Sequence, residues 1–189
     1  MTDFRNQNPS RGYRAGIEKT VNIPIELYES TLGRYFIGTV DNLSFGNGTS
    51  TWARLYNPRQ SGVALHVNVW TATDLSEAPF RAEFWFNASA PGSFYESGSV
   101  TPSNTFLQPP PEPKVRLQYA SQVTSQPYNG VEAFVRNGDA GTTVMDTENG
   151  KLIFPPGGSF LVYLSLVGNC TPPAVGRIAF GWWEEPIPV

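Results

Sequence analysis

The chain has 189 residues, of which 40% are hydrophobic and 13% aromatic, enough for one sizeable core and too few for two. Its net charge is −3 and it carries no basic stripe, which argues against nucleic acid as a partner. Because it contains 18 glycines and 17 prolines and no long helical period, we predict many short strands joined by turns.

Residues 1–20 are predicted to form an N-terminal arm in front of one domain, residues 21–189. The arm is polar, and its four basic residues against two acidic ones give it a charge of +2. It contains no apolar signal core, and the chain has no run of about 18 apolar residues. We therefore expect a chain that is made in the cytoplasm without a signal peptide and does not insert into a membrane.

The segment after the arm alternates between apolar and other residues. Val21, Ile23, Ile25 and Leu27 would share one face of a strand, and Pro24 would lie on the other. Because proline cannot donate a ladder hydrogen bond, it confines a strand to the edge of a sheet. We predict an edge strand over residues 21–27.

Residues 51–87 hold three strand-like runs, and the second and third show the clearest alternation. In the second run one face is predicted to be apolar, with Val63, Leu65, Val67, Val69 and Thr71. The opposite face would then carry His66 and Trp70. The third run is predicted to bury Phe80, Ala82, Phe84 and Phe86 and to expose Trp85. This period of two indicates a sheet with one face in a core.

Further strand-like runs follow at the spacing that is typical of a sandwich or barrel. They lie near residues 33–40, 115–119, 130–135, 142–145, 151–154, 159–167 and 174–184. A proline-rich stretch at 108–113 reads best as a surface crossover between sheets. Nine to eleven strands with such long connections favour a Greek-key or jelly-roll order. The predicted fold is an all-β, antiparallel β-sandwich of jelly-roll type with an extended N-terminal arm.

The sequence offers little catalytic chemistry. His66 is the only histidine and Cys170 the only cysteine, so neither a zinc cluster nor a disulfide within the chain is expected. Glu184 and Glu185 are adjacent on a predicted strand and would point to opposite faces. The turns at 137–141 and 146–150 do not match a complete calcium loop. We predict no enzyme activity, no catalytic residue, no metal and no cofactor.

The tryptophans are the remaining candidates for a functional surface. An exposed tryptophan could centre a subunit contact, which we favour, or form a platform for sugar stacking. Of Trp182 and Trp183, which must point to opposite faces, at least one could lie outside the core. The predicted contact residues are Phe4, Tyr13, Ile17, Val21, Ile23, Ile25, Leu27, Trp70, Trp85 and Trp182.

Two segments resemble jelly-roll structural proteins of bacterial and phage type. The first is residues 55–62, LYNPRQSG, with the alternating strand after it, and the second runs from FPPGGS at 154–159 to FGWWEE at 180–185. The chain also looks like an uncharacterised family of small proteins from spore-forming Firmicutes. Its plan, an arm before a jelly roll, is similar to that of the major subunits of endospore appendages.

In those appendages the arm of one subunit docks into the next, and the arm commonly carries cysteines. Residues 1–30 here contain none, so a joint without disulfides is expected. The resemblance implies a self-assembling, non-enzymatic subunit of a head-to-tail fibre on a spore or cell surface. Its partner would be itself, with a possible anchoring or tip protein. The alternatives are a phage virion or tail protein, and a carbohydrate-binding module that uses Trp85 or Trp182.

Overall fold

The computed structural model describes residues 22–168 and 172–188. One short helix precedes eleven strands: α1 (Ile25–Thr31), β1 (Tyr35–Gly46), β2 (Ser50–Tyr56), β3 (Val63–Asp74), β4 (Phe80–Phe86), β5 (Tyr95–Glu96), β6 (Val100–Pro102), β7 (Arg116–Val123), β8 (Val131–Gly138), β9 (Thr143–Phe154), β10 (Ser159–Leu166) and β11 (Pro173–Pro186).

Two antiparallel sheets pack face to face. The five-stranded sheet has the order β6-β1-β11-β3-β9, and the six-stranded sheet has the order β5-β7-β2-β10-β4-β8. When the insertion that holds β5, β6 and β7 is set aside, four strands of one sheet, β1-β11-β3-β9, face four of the other, β2-β10-β4-β8. This is the order of a jelly roll, in which the chain alternates between two sheets. The predicted all-β, antiparallel sandwich of jelly-roll type is confirmed, and the predicted arm, residues 1–20, lies outside the described residues.

The core between the sheets is rich in aromatic rings. Trp70 and Phe84 approach to 4.2 Å between ring centroids, and Phe84 stacks on Phe134 at 4.4 Å. Phe160 and Trp182 are also buried among these residues. Because each fully buried Phe stabilises the fold by about 1.5–3 kcal/mol relative to an exposed one, these rings supply much of the folding free energy.

A β-bulge in β3 moves the side chains that follow it to the faces opposite to those that alternation predicts. Val67 and Val69 pair with neighbouring residues of β11, so Asn68 is an extra residue with no partner of its own there. A shift of one residue moves every following side chain to the opposite face. The prediction that Trp70 lies outside the core is therefore wrong: Trp70 is fully buried, and Val69 and Thr71 lie on the outer face.

The neighbouring strand β9 carries a larger bulge at the same level. Its four residues 148–151 lie opposite the single residue Asn68 of β3. Glu148 in this bulge is buried, and its Oε1 accepts a hydrogen bond of 3.2 Å from Nε1 of Trp70. The two bulges together place a carboxylate over the indole N–H of Trp70, which would otherwise lack an acceptor in an apolar core.

The turn before β3 is fixed by one buried amide. Nδ2 of Asn57 donates to the carbonyl of Val63 at 2.8 Å and to that of Phe154 at 3.1 Å, so it ties the start of β3 to the end of β9. The main chain of Asn57 bonds to Gly157 and Gly158. These contacts explain why an asparagine stands in the LYNPRQSG segment.

The predicted edge strand over residues 21–27 is wrong, because α1 begins at Ile25; Val21 lies outside the described residues. Pro24 is tolerated before the first turn of a helix, since no intrahelical acceptor exists there for its missing N–H. The helix ends in a Schellman motif at Gly33, whose φ is +73°. The N–H of Arg34 bonds to the carbonyl of Glu29, which closes the last turn.

Candidate interaction surface

Helix α1 presents its apolar side chains to solvent and buries a carboxylate. Leu27 is 50% exposed, and Ile25, Tyr28 and Leu32 are exposed to a similar degree, whereas Glu29 is only 5% exposed. A surface helix ordinarily turns its apolar stripe toward the core and its charges toward water. The orientation of α1 is the reverse, so its attachment to the five-stranded sheet is largely polar.

Polar contacts hold α1 in place. Oγ of Ser30 lies 2.8 Å from Oγ of Ser103, and Nδ2 of Asn104 donates to the Ser30 carbonyl at 3.2 Å. The N–H of Glu184 in β11 donates to the carbonyl of Arg34 directly after the helix. Because these bonds fix both the helix and the chain after it, the apolar side chains of α1 are not needed for its attachment.

The buried Glu29 lies in a polar cluster beneath α1. Burial raises the pKa of its carboxyl, the Arg34 guanidinium at 3.8 Å opposes this rise, and Glu185 adds to it. Its Oε2 accepts no hydrogen bond from the described residues. The carboxyl is thus held in a site that disfavours its charge.

His66 forms the floor of this cluster. Its ring stacks on Trp183 at 5.0 Å between centroids, and Nδ1 lies 3.1 Å from the carbonyl oxygen of Gly150. Nε2 is 3.0 Å from Oε2 of Glu185, a close approach without the angle of a hydrogen bond. Across residues 22–168 and 172–188, no three His, Cys, Asp or Glu side chains are grouped closely enough to hold a metal ion.

The outer face of the five-stranded sheet continues the apolar surface of α1. Tyr35 borders both a hollow beside Leu27 and a groove of about 210 Å³ on the sheet. The groove exists because Gly181 lacks a side chain: a Cβ there would lie 2.5 Å from the Tyr35 hydroxyl and 2.7 Å from Val69. We call this surface the apolar strip; it consists of Ile25, Leu27, Tyr28, Leu32, Tyr35, Ile37, Val69, Thr71 and Ala179.

Residues 14–189 match a protein family described as "Family of unknown function (DUF6143)". The chain belongs to the DUF6143 family. No curated protein and no solved structure matches it. In the described part of this DUF6143 chain, no helix is long and apolar enough to cross a membrane.

The predicted contact residues of this DUF6143 protein differ in their exposure. Ile23, Ile25 and Leu27 are exposed, although they lie in or just before a helix rather than on a strand face. Trp182 is fully buried in the core, so its prediction as a contact residue is wrong, as it is for Trp70. The remaining predicted residues, Phe4, Tyr13, Ile17 and Val21, lie outside the described residues.

Trp85 faces away from the core between the sheets, as predicted, but it also packs against residues of its own chain. Its side chain is half-buried on the outer face of the six-stranded sheet, against a cluster that includes Trp52 and Leu161. Its Nε1 donates to the Glu83 carboxylate at 3.3 Å. Trp85 is thus occupied by contacts within its own chain and is a poor centre for a subunit contact.

Sequence reasoning missed seven of the nine members of the apolar strip: Tyr28, Leu32, Tyr35, Ile37, Val69, Thr71 and Ala179. Tyr28 and Leu32 follow Ile25 at the helical spacing i, i+3 and i+7, a signal that the strand prediction overlooked. Ile37 and Ala179 lie on strands that carry apolar residues on both faces, so periodicity does not show which of these apolar residues face outward.

Proposed function

We propose that this DUF6143 protein is a non-enzymatic structural subunit that assembles with copies of itself through the apolar strip. The observation that carries the proposal is the inverted helix α1, whose apolar side chains are exposed while Glu29 is buried. Burying a fully exposed Leu or Ile is worth about 1.5–3 kcal/mol, and covering one of these half-exposed side chains would gain about half of that. Several such side chains lie next to one another here, which is typical of a contact surface.

The occupant of the apolar strip is the N-terminal segment of a neighbouring copy, residues 1–21. This segment joins the described chain at Asn22, beside α1, and it offers Phe4, Tyr13 and Ile17 as apolar contacts. Its first 20 residues can span up to roughly 65 Å when extended, enough to reach a second domain. Their +2 charge is opposite to the net negative charge of the rest of the chain, which favours the encounter.

Such a joint is heterologous, because the arm of one copy contacts the strip of another. A heterologous contact that does not close into a ring makes a filament. We therefore propose a head-to-tail fibre on a spore or cell surface, in keeping with the resemblance to endospore appendage subunits, with an anchoring or tip protein at one end. A virion or tail protein built through the same joint is the alternative, since jelly rolls also form viral capsids.

Negative-stain electron microscopy and light scattering on the full chain test the proposal. We expect fibres from the wild type, and monomers that keep their β circular dichroism from a variant lacking residues 1–20. Leu27→Asp and Ile37→Asp should also prevent fibres, because each places a charge in the apolar strip. Phe106→Asp is the control, since Phe106 is 91% exposed and lies outside the strip.

Three results would contradict the proposal. They are a wild type that stays monomeric at high concentration, fibres from the chain without residues 1–20, and fibres from both strip variants. A monomeric wild type whose strip becomes exposed only when residues 1–20 are removed would show that the arm covers its own domain instead.

A further inference from the structure

A cleft of about 570 Å³ lies at one lateral edge of the sandwich, away from the apolar strip. One wall is the segment 92–95, which leads into β5, and the other is residues 119–125 at the end of β7. Its volume lies within the range of about 300–1,000 Å³ that is usual for sites of small ligands. We infer that this cleft binds a neutral carbohydrate.

The lining of the cleft has the chemistry of a sugar site. Ser93, Ser121, Gln122 and Thr124 bring hydroxyl and amide groups that both donate and accept hydrogen bonds, as sugar hydroxyls do. None of the described residues that line the cleft is charged. A polyhydroxylated, uncharged ligand matches such walls better than a phosphate or a carboxylate, which would need a cationic partner.

Two tyrosines provide the apolar part of the cleft. Tyr95 and Tyr119 pair across β5 and β7, with ring centroids 5.9 Å apart and planes tilted by 37°. Tyr95 is 67% exposed, whereas Tyr119 packs partly against the core. An exposed ring that is backed by a second ring can receive the C–H face of a pyranose and still hydrogen-bond through its hydroxyl.

Gln122 is the most unusual residue of the cleft. Its φ is +55°, and the other five non-glycine residues with positive φ in the described chain are asparagines. Asparagine tolerates this conformation because its short side chain bonds locally, but a longer side chain is disfavoured there. The strain arises at a bulge, where residues 121 and 122 both oppose Thr51 of β2.

The position of Gln122 in this bulge is itself evidence of function. A bulge residue with positive φ is ordinarily glycine, and bulges often direct a side chain into a site. Here the strained backbone carries an amide into the wall of the cleft. Backbone strain of this kind persists only where the surrounding structure holds the residue in place, and it is concentrated at active sites and ligand sites.

The wall that contains Gln122 is held rigidly. Oγ of Ser121 accepts a hydrogen bond of 3.2 Å from the N–H of Ser44, and the hydroxyl of Tyr163 donates to the Ser125 carbonyl at 3.3 Å. On the other wall, Nε1 of Trp52 donates to the Pro91 carbonyl at 2.9 Å. Because both walls are anchored in the sandwich, binding requires little ordering of the protein.

Titration of the ¹⁵N-labelled full chain with soluble oligosaccharides, followed by NMR, tests the inference. Every sample, including the one called wild type, carries Leu27→Asp, which lies outside the cleft and keeps the chain monomeric. The probes are cellotetraose, maltotetraose and the tetramer of N-acetylglucosamine. We expect at least one of them to shift the amide signals of residues 92–95 and 119–125. Tyr95→Ala and Gln122→Gly should each weaken its binding by about tenfold or more, which corresponds to the loss of one stacking or hydrogen-bonding partner.

Two features of the variants make the result interpretable. Gln122→Gly relieves the backbone strain, so its melting temperature should equal or exceed that of the wild type, and weaker binding cannot then be due to unfolding. Tyr128→Ala is the matched control, because it removes another exposed tyrosine that does not line the cleft. It should bind as the wild type does.

The inference is overturned if none of the three probes binds, or if both cleft variants bind as well as the wild type. It is also overturned if a synthetic peptide of residues 1–21 shifts the cleft signals and the sugars do not, because the cleft would then be a peptide site. Since the cleft and the apolar strip share no residue, loss of sugar binding leaves fibre assembly intact, and the reverse also holds.

Discussion

Gly150 lies directly against the indole ring of Trp183. A Cβ added to Gly150 would come within 1.7 Å of Cη2 of that ring. Gly150 also has a φ of +70°, and its carbonyl oxygen faces Nδ1 of His66. One glycine thus allows the bulge of β9, the stacking of Trp183 on His66 and the polar cluster beneath α1 to exist together.

Gly150→Ala should destabilise the fold more than the same change at Gly62, which has the same φ of +70° but no atom near its missing Cβ. Gly62→Ala isolates the cost of the left-handed backbone, about 1–2 kcal/mol. Gly150→Ala adds the clash with Trp183, about another 1–3 kcal/mol. Urea denaturation of both variants measures the difference, and equal losses would show that the bulge can move aside.

Trp70→Ala should cost about 3–5 kcal/mol of unfolding free energy, because it removes a fully buried ring and leaves the Glu148 carboxylate without its indole partner. Trp85→Ala should cost less, since Trp85 is only half-buried. Thermal and denaturant unfolding compare the two variants. A larger loss for Trp85 would argue that the bulge at Asn68 is misplaced and that Trp70 lies outside.

Glu29→Gln should stabilise the protein near neutral pH and have little effect in acid. Burial raises the pKa of Glu29 above its ordinary value of 4.5, so the folded state holds this proton more tightly than the unfolded state does. The wild type therefore loses stability as the pH rises through and above 4.5, and the glutamine variant does not.

The measurement is the difference in unfolding free energy between Glu29→Gln and the wild type at several pH values. The difference should be small at about pH 4 and grow toward neutrality. Glu26→Gln, which removes a partly exposed carboxylate on the same helix, is the control and should change stability little. A benefit of Glu29→Gln that is largest in acid would contradict the assigned environment.

Asn57→Ala should cost about 2–4 kcal/mol, because it removes a buried donor from the carbonyls of Phe154 and Val63, and the Val63 carbonyl then keeps only the long bond of 3.4 Å from the Ser61 hydroxyl. Asn104→Ala should cost less unfolding free energy, because Nδ2 of the half-buried Asn104 makes one hydrogen bond, of 3.2 Å. Hydrogen exchange at the start of β3 and the end of β9 should accelerate in the Asn57 variant. Unchanged protection there would show that the turn holds without this amide.

Assemblies of the chain should survive dithiothreitol. Cys170, which lies outside the described residues, is the only cysteine, so an unbranched chain of subunits cannot be linked through disulfides alone. The measurement is electron microscopy before and after reduction, with Cys170→Ser as the control. Fibres that dissolve on reduction, or that do not form from Cys170→Ser, would show that a thiol takes part in the joint.

Much of the fold could be predicted from the sequence, because alternation of period two reports which face of a strand is buried. The prediction held for Phe80, Ala82 and Phe84 of β4, where no bulge intervenes before Trp85. It failed at Trp70, since an extra residue in the middle of a strand leaves no mark in a hydrophobic pattern. It failed again at residues 25–27, because the strand prediction used the alternation of Ile25 and Leu27 and overlooked the helical spacing of Tyr28 and Leu32 after Ile25.

The candidate surfaces were less predictable. Exposure of Ile25 and Leu27 was expected. The sequence does not show, however, that Glu29 on the sheet side of α1 is buried. The cleft is harder still to predict, because its walls are far apart in sequence and consist mostly of small polar residues. Nothing in the sequence distinguishes Gln122 from other glutamines, and only its backbone φ of +55° in the structure does so.

The paired bulges of β3 and β9 also restrict how this chain can change in length. Deleting Asn68 alone would turn Trp70 out of the core and Val69 into it, and every later residue of β3 would follow. The loss would not stay local, because β3 is paired on both sides, with β9 and with β11. An insertion or deletion in this strand would therefore have to be matched in a neighbour to be tolerated.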